Sequence, residues 1–481
     1  MSLEHEPDDN HSVTVAPGIG DETDPDIQLD LIQPTTTGPA RLVARSDLFL
    51  SVGVISFVLA ASLSDVTLLS VAGVAIGILA LLIPVFVARH HPVTRSAVII
   101  LGLWILSALV AQSLPGFGDG GAIRAWAETE GRALVVIGVM AAMPGLRAVR
   151  TFERLMRLSV AVISASVAVA LVLHVVRNEF GQNSTFSGLT SSHHVIGYLT
   201  ATSIVALIAL PQLFPSTTVR LVLGCILGNG LLLSGSRAAL AACLFGILVV
   251  VWQTQNRRVL LMAAGSLIVM LIGAVAVSDR IQDTAEIFSS TEFFRDARTA
   301  YEDGTTDRAR SLSNNEARTN ILIRFALWGN AADQFTSSPL IGIGRFRTND
   351  TDLEFSGIEN VAYVATSGDS LFNDAQPHNQ VIHLLVETGA IGTLAVCVPF
   401  VIAWRRSSGS SRDGAPDTAD EDGSRGEPSN AWTSFGRVQI GQLAVVGLAS
   451  AGLLTSGLGL IAVIYTFGAF RVGELLASET T

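Results

Sequence analysis

Lysine is missing from this chain: all thirty basic residues are arginine, a bias of composition from which no function follows. Cysteine is nearly missing too. Cys225, Cys243 and Cys397 all sit in apolar segments, where a thiol packs as a small hydrophobe, and their spacing fits neither a disulfide framework nor a metal site. Redox chemistry is thereby excluded. Charge is scarce, at 15% of residues against 49% hydrophobic, and the mean hydropathy is +0.50. A soluble protein of 481 residues is neither so apolar nor so weakly charged, so the surplus must face lipid. No Gly-x-x-x-x-Gly-Lys loop and no His-Glu-x-x-His run occurs, which removes the commonest nucleotide and zinc signatures. The first ~40 residues lack a basic segment followed by an apolar run and a small-residue cleavage site, so no cleaved signal peptide is expected.

What is present is a succession of apolar runs of roughly 17 to 25 residues, the length a helix needs to cross about 30 Å of hydrocarbon. Spans are predicted near 48–64, 66–88, 97–113, 133–146, 158–176, 194–214, 219–234, 238–253, 258–278, 380–403, 436–455 and 457–472. The fold class is therefore all-α, a polytopic membrane protein of about twelve transmembrane helices with a long loop between spans 9 and 10. Arginines gather in every second loop: Arg41 and Arg45, Arg89 and Arg95, the group Arg147, Arg150, Arg154 and Arg157, then Arg220, Arg257 and Arg258, Arg405 and Arg406, and Arg471. By the positive-inside rule those loops and both termini are cytoplasmic, and residues 279–379 lie outside.

The expected organisation follows. Residues 1–46 form a disordered acidic cytoplasmic tail, 47–278 a bundle of about nine spans, and 279–379 an extracytoplasmic loop with short helices. Residues 380–403 make one span, 404–435 a flexible linker rich in Ser, Gly, Asp and Glu, and 436–481 the last two spans with a short tail. The net charge of −11 comes largely from the polar segments and says little about partners; no nucleic-acid partner is expected.

Six places are candidates for chemistry. Arg237, in Leu232-Leu233-Ser234-Gly235-Ser236-Arg237-Ala238-Ala239, stands at the outer junction of two spans with scarcely a loop around it. A cation there either serves a site or snorkels to the interface. Arg324 precedes Trp328 and the run Ser338-Pro339-Leu340-Ile341-Gly342-Ile343-Gly344-Arg345, whose glycines allow close backbone approach to a ligand; a solvated helix position is the plainer reading of Arg324. His378, in Pro377-His378-Asn379-Gln380, falls at a helix start, a position that favours the neutral imidazole a general base needs, although surface histidines often have no role. Glu387 lies two turns inside the following apolar helix and needs a partner, for which an outer arginine is the natural choice, in a site or in a structural clamp. His193 and His194 open another span on the same side. Asp350-Thr351-Asp352 resembles a cation-holding pair but is more simply a solvated acidic turn, and no metal site is assigned. The outer loop holds eight further arginines, Arg345 among them, and guanidinium groups grip phosphate oxygens in pairs, so a lipid pyrophosphate suits such a surface.

The Leu-Ser-Gly-Ser-Arg-Ala-Ala stretch, the Arg324/Trp328/Ser338–Gly344 series and Pro377-His378-Asn379-Gln380 through Glu387-Thr388-Gly389-Ala390-Ile391-Gly392 resemble the O-antigen ligase and O-antigen polymerase superfamily over residues 180–403. The resemblance implies a GT-C-like membrane glycosyltransferase of the cytoplasmic membrane, its active site facing outside. Such an enzyme takes glycan from an undecaprenyl-diphosphate carrier and joins it, with inversion, to a glycan, lipid or protein acceptor, using no metal or other cofactor. A chain-length regulator would be a further partner. It makes Arg237 and Arg324 the diphosphate-binding cations and His378 the base, with Arg345, Asn379, Glu387 and His194 around the substrate. His193-His194 departs from the small Pro-Asn type of sequence often seen at that span start, and the long outer loop leaves the acceptor open. Two alternatives stand beside this reading: a twelve-span transporter or lipid-linked oligosaccharide flippase, against which no half-repeat is evident, and a cell-wall scaffold with a degenerate site.

Overall fold

The computed structural model describes residues 45–63, 67–113, 135–177, 186–190, 192–253, 331–343, 379–409, 428–449 and 457–480, with isolated positions at 265, 295, 324, 328 and 329. All belong to one compact unit, Leu42–Thr481, and among them no strand occurs. The predicted span 258–278 and most of the predicted outer loop lie outside the described residues, as does the acidic head.

The helices are α1 (Ser46–Ser62), α2 (Thr67–Val87), α3 (Pro92–Ser113), α4 (Val135–Gly145), α5 (Val149–Val176), α6 (His193–Ala209), α7 (Thr217–Ser234), α8 (Arg237–Gln253), α9 (Gln380–Gly409), α10 (Pro428–Ala449) and α11 (Gly457–Thr480). Four stretches are long and apolar enough to cross a membrane: Val149–Val176, Thr217–Ser234, Val381–Arg406 and Ile461–Glu479. The protein is thus a helical membrane protein. Large apolar side chains stand bare on α2 and α3, with Leu68 79% exposed and Leu79, Leu82, Ile99 and Leu103 more than half exposed, as befits helices whose solvent on that side is hydrocarbon.

α6 is the centre. Every residue from Val195 to Ile208 is buried, so this helix meets protein on all sides, and its Thr200, Thr202 and Ser203 hydroxyls turn back onto carbonyls of the preceding turn rather than leave a polar group bare. α7 and α8 pack along it, α10 closes over α8, and α11 contacts α1, α5, α6 and α9.

The predicted linker 404–435 is shorter than expected at both ends. α9 runs on to Gly409, and α10 begins at Pro428 with Trp432 and Phe435 buried, the Trp432 ring 5.5 Å from that of Phe152. Proline suits a first helical turn, where its missing N–H is no loss. α5 likewise starts nine residues ahead of the predicted span at 158, because its arginine-bearing first turns are helix without being apolar.

At the far end of α9, roughly 40 Å from its start at 1.5 Å per residue, Glu474 of α11 ties three elements together. Its carboxylate takes Arg406 and Arg471, each at 2.9 Å, and His91 at 3.4 Å, and Arg471 also donates to the Leu146 carbonyl. Glu474→Ala would leave two guanidinium groups uncompensated, that of Arg471 mostly buried and that of Arg406 about half exposed. The expected cost is about 2 kcal/mol, between the values for exposed and buried pairs, read as a melting temperature a few degrees lower in detergent; an unchanged melt would show the tie to be ornamental.

Candidate functional site

The α7–α8 junction is built residue by residue from Leu-Ser-Gly-Ser-Arg. Ser234 ends α7, its hydroxyl donating to the Leu231 carbonyl at 2.7 Å. Gly235 follows at φ +61°, the left-handed conformation that closes a helix, and its N–H reaches back to Leu232. Ser236 accepts from the Ala239 N–H at 3.4 Å and so caps α8, whose first residue is Arg237. Two residues thus separate the two helices, and the arginine is held half-buried at the amino end of the second.

His194 is brought to the same spot. Its Nδ1 lies 3.2 Å from the Ser236 hydroxyl, and its backbone N–H is capped by Ser192. The His193 ring stacks against it at 3.9 Å between centroids. The approach is close because Gly197, one turn on, has no side chain: a Cβ there would stand 2.9 Å from the Ser234 hydroxyl oxygen and from the Ser236 Cβ. Tyr198, next along α6, is buried and within electrostatic reach of Arg324. Burial pulls the Arg324 guanidinium below its ordinary range and Tyr198 opposes that shift, though an arginine so placed stays cationic. The α6 start thus meets the α7–α8 turn through His194 and Ser236, the residue before Arg237, and Tyr198, one turn on, lies within electrostatic reach of Arg324; sequence reasoning singled out neither Ser236 nor Tyr198.

A second arrangement forms at the start of α9. The Asn379 Oδ1 accepts from the N–H groups of Val381 and Ile382, at 3.0 and 3.1 Å, so this side chain is the helix cap. One turn in, His383 meets Glu387 at 3.2 Å, both nearly buried. This contact joins a His and a Glu four apart on one helix, a pairing legible in the sequence, and it leaves the expected arginine partner of Glu387 untested. The His383 Nδ1 is buried without a hydrogen-bond partner among the described residues.

Directly after Glu387, α9 breaks. Gly389 has φ +65° and ψ −175°, a conformation open essentially to glycine alone. The Ser338–Ile343 turn fits into the break: the Ile343 N–H donates to the Val386 carbonyl, and the N–H groups of Ala390 and Ile391 donate to the carbonyls of Pro339 and Leu340, all at 2.9 to 3.1 Å. Gly342, at φ +75°, faces the Glu387 carbonyl, and Gly389 faces that of Leu340, each so closely that a Cβ would overlap it. The glycines of the Ser338–Gly344 series, read from sequence as room for a ligand, include one that makes room for a helix.

His378 and Arg345 lie outside the described residues, as do Asp350 and Asp352. Residues 221–397 match the family model described as O-antigen ligase, a segment that holds Arg237, Arg324, Asn379, Glu387 and both facing glycines. No curated protein matches the chain. The match supports the resemblance of this part of the chain to the O-antigen ligase superfamily, in agreement with the motifs, and suggests the joining or polymerising of glycan at the membrane.

Proposed function

We propose, from the match of residues 221–397 to the O-antigen ligase family model, that the protein is a glycosyltransferase that moves or polymerises glycan from a polyprenyl-diphosphate carrier onto an acceptor hydroxyl at the outer face of the cytoplasmic membrane. The observation that supports this reading is the contact of His194 with Ser236, which sets the start of α6 against the turn that carries Arg237. In the reaction the acceptor oxygen attacks the anomeric carbon as the bond to the diphosphate oxygen breaks, inverting the centre in one displacement. Negative charge grows on the leaving diphosphate, and fixed guanidinium groups in a poorly solvated mouth stabilise it without reorganising. His378 takes the acceptor proton. No step requires a metal or a nucleotide sugar.

A broken membrane helix is also a device of transporters, where unwound backbone coordinates an ion. In α9 the Val386 carbonyl and the Ala390 and Ile391 N–H groups are instead taken up by the 338–343 turn, which supports a rigid scaffold rather than an ion site. Glycan analysis of a deletion strain tests the reading. A lost ligase leaves long chains on the lipid carrier, and a lost polymerase leaves single repeat units on the acceptor. Donor trapped on the cytoplasmic side would overturn the proposal in favour of transport.

A further inference from the structure

At the opposite end of the bundle, a cavity of about 250 Å³ opens between the first turns of α1 and α5, with Asp47, Leu48 and Ile55 on one wall and Thr151, Arg154 and Leu158 on the other. Its lining changes character with depth. Arg150, Arg154 and Arg157, spaced four and three apart, share one face of α5 and are all exposed. Beyond Leu158 the helix runs from Ser159 to Val176 with His174 as its one ionisable residue. The boundary between headgroups and hydrocarbon therefore crosses the cavity near Leu158, and Leu158 and Leu48, 52% and 61% exposed, give its mouth an apolar lip.

The charge of this mouth is not balanced from within. Asp47 is the nearest carboxylate, and it serves the amino end of α5: one oxygen accepts from the Arg147 N–H at 2.7 Å, the other from the Thr151 hydroxyl at 3.1 Å. With Glu153 it sets two negative charges against the four of Arg147, Arg150, Arg154 and Arg157. The fitting occupant is an anion, and one that carries hydrocarbon, since a soluble acidic partner would leave Leu48 and Leu158, and the half-buried Ile55, facing it. We propose that the α1–α5 groove binds an anionic glycerophospholipid, its phosphodiester on Arg154 flanked by Arg150 and Arg157 and one acyl chain lying along Ile55 and Leu158. The site is separate from the glycan reading and holds on its own. The arginine distribution assigns this end to the cytoplasmic leaflet, where a row of basic side chains attracts anionic headgroups.

Native mass spectrometry of the purified full-length protein, offered phosphatidylglycerol or phosphatidylcholine of matched chains, tests this. The expected result is at least tenfold greater retention of phosphatidylglycerol, lost in R150Q/R154Q/R157Q, kept in R95Q as a control for general charge, and weakened by added salt. L158W fills the groove without touching its charge and is expected to reduce retention as well, which keeps the test decisive if the triple variant does not fold. Equal retention of the two lipids by the wild type, a preference that survives both R150Q/R154Q/R157Q and L158W, or a dimer that forms in place of lipid binding would overturn the proposal.

Discussion

Gly389→Ala is expected to remove most of the folded protein from the membrane. The reasons compound. At φ +65° and ψ −175° an L side chain is excluded by its own backbone, a penalty of about 1–3 kcal/mol before any neighbour is considered. The added Cβ would then overlap the Leu340 carbonyl, and because that atom is backbone, it yields only if the whole turn lifts off. Lifting the turn breaks the bonds from Ile343, Ala390 and Ile391 and leaves their partners bare beside an apolar helix, where each unsatisfied group costs several kcal/mol. The total exceeds about 3 kcal/mol, a large fraction of a typical margin of stability. Gly342→Ala is expected to act from the other side of the same contact. Gly102→Ala is the control: that glycine lies within α3, a Cβ there meets nothing within 4 Å, and the change should be neutral or gain up to about 1 kcal/mol. Membrane yield and thermal melts of the three variants check this, and equal yields of Gly389→Ala and Gly102→Ala would refute it.

That contrast shows what the sequence made legible. The helices were readable because an apolar run of about twenty residues has few other uses, and α1, α6, α7 and α8 begin within two residues of the predicted spans. α5 and α10 began early because their first turns are polar or proline-led, so hydropathy could not find helix outside the hydrocarbon. Arg237 was readable because a charge between two spans is costly and needs a reason. Ser236 and Tyr198 were not, since a serine in a turn and a tyrosine in a span are ordinary residues until another element is laid against them. The docking of the 338–343 turn into α9 joins residues some fifty apart along the chain, and pattern within either segment carries no trace of the other beyond two glycines.

Arg237→Ala is expected to lower glycan transfer by a factor of about 100 to 1,000, the range seen when one fixed donor to a developing anion is removed, while leaving the protein in the membrane. The separation of the two effects follows from the junction itself. Gly235 closes α7 and Ser236 caps α8, so the backbone of the turn is closed by these two residues. Arg237→Lys distinguishes charge from shape. An ammonium keeps the positive charge but cannot present two parallel N–H groups to a pair of phosphate oxygens, so activity between the wild type and the alanine variant is expected. Ser236→Ala should cost about 1 kcal/mol of capping and loosen His194, a smaller loss that appears first in stability. If Arg237→Ala retains full transfer at normal membrane levels, the diphosphate is held elsewhere and the arginine at the α7–α8 junction is structural; if Arg237→Lys equals wild type, charge alone suffices and paired recognition of the phosphates is wrong.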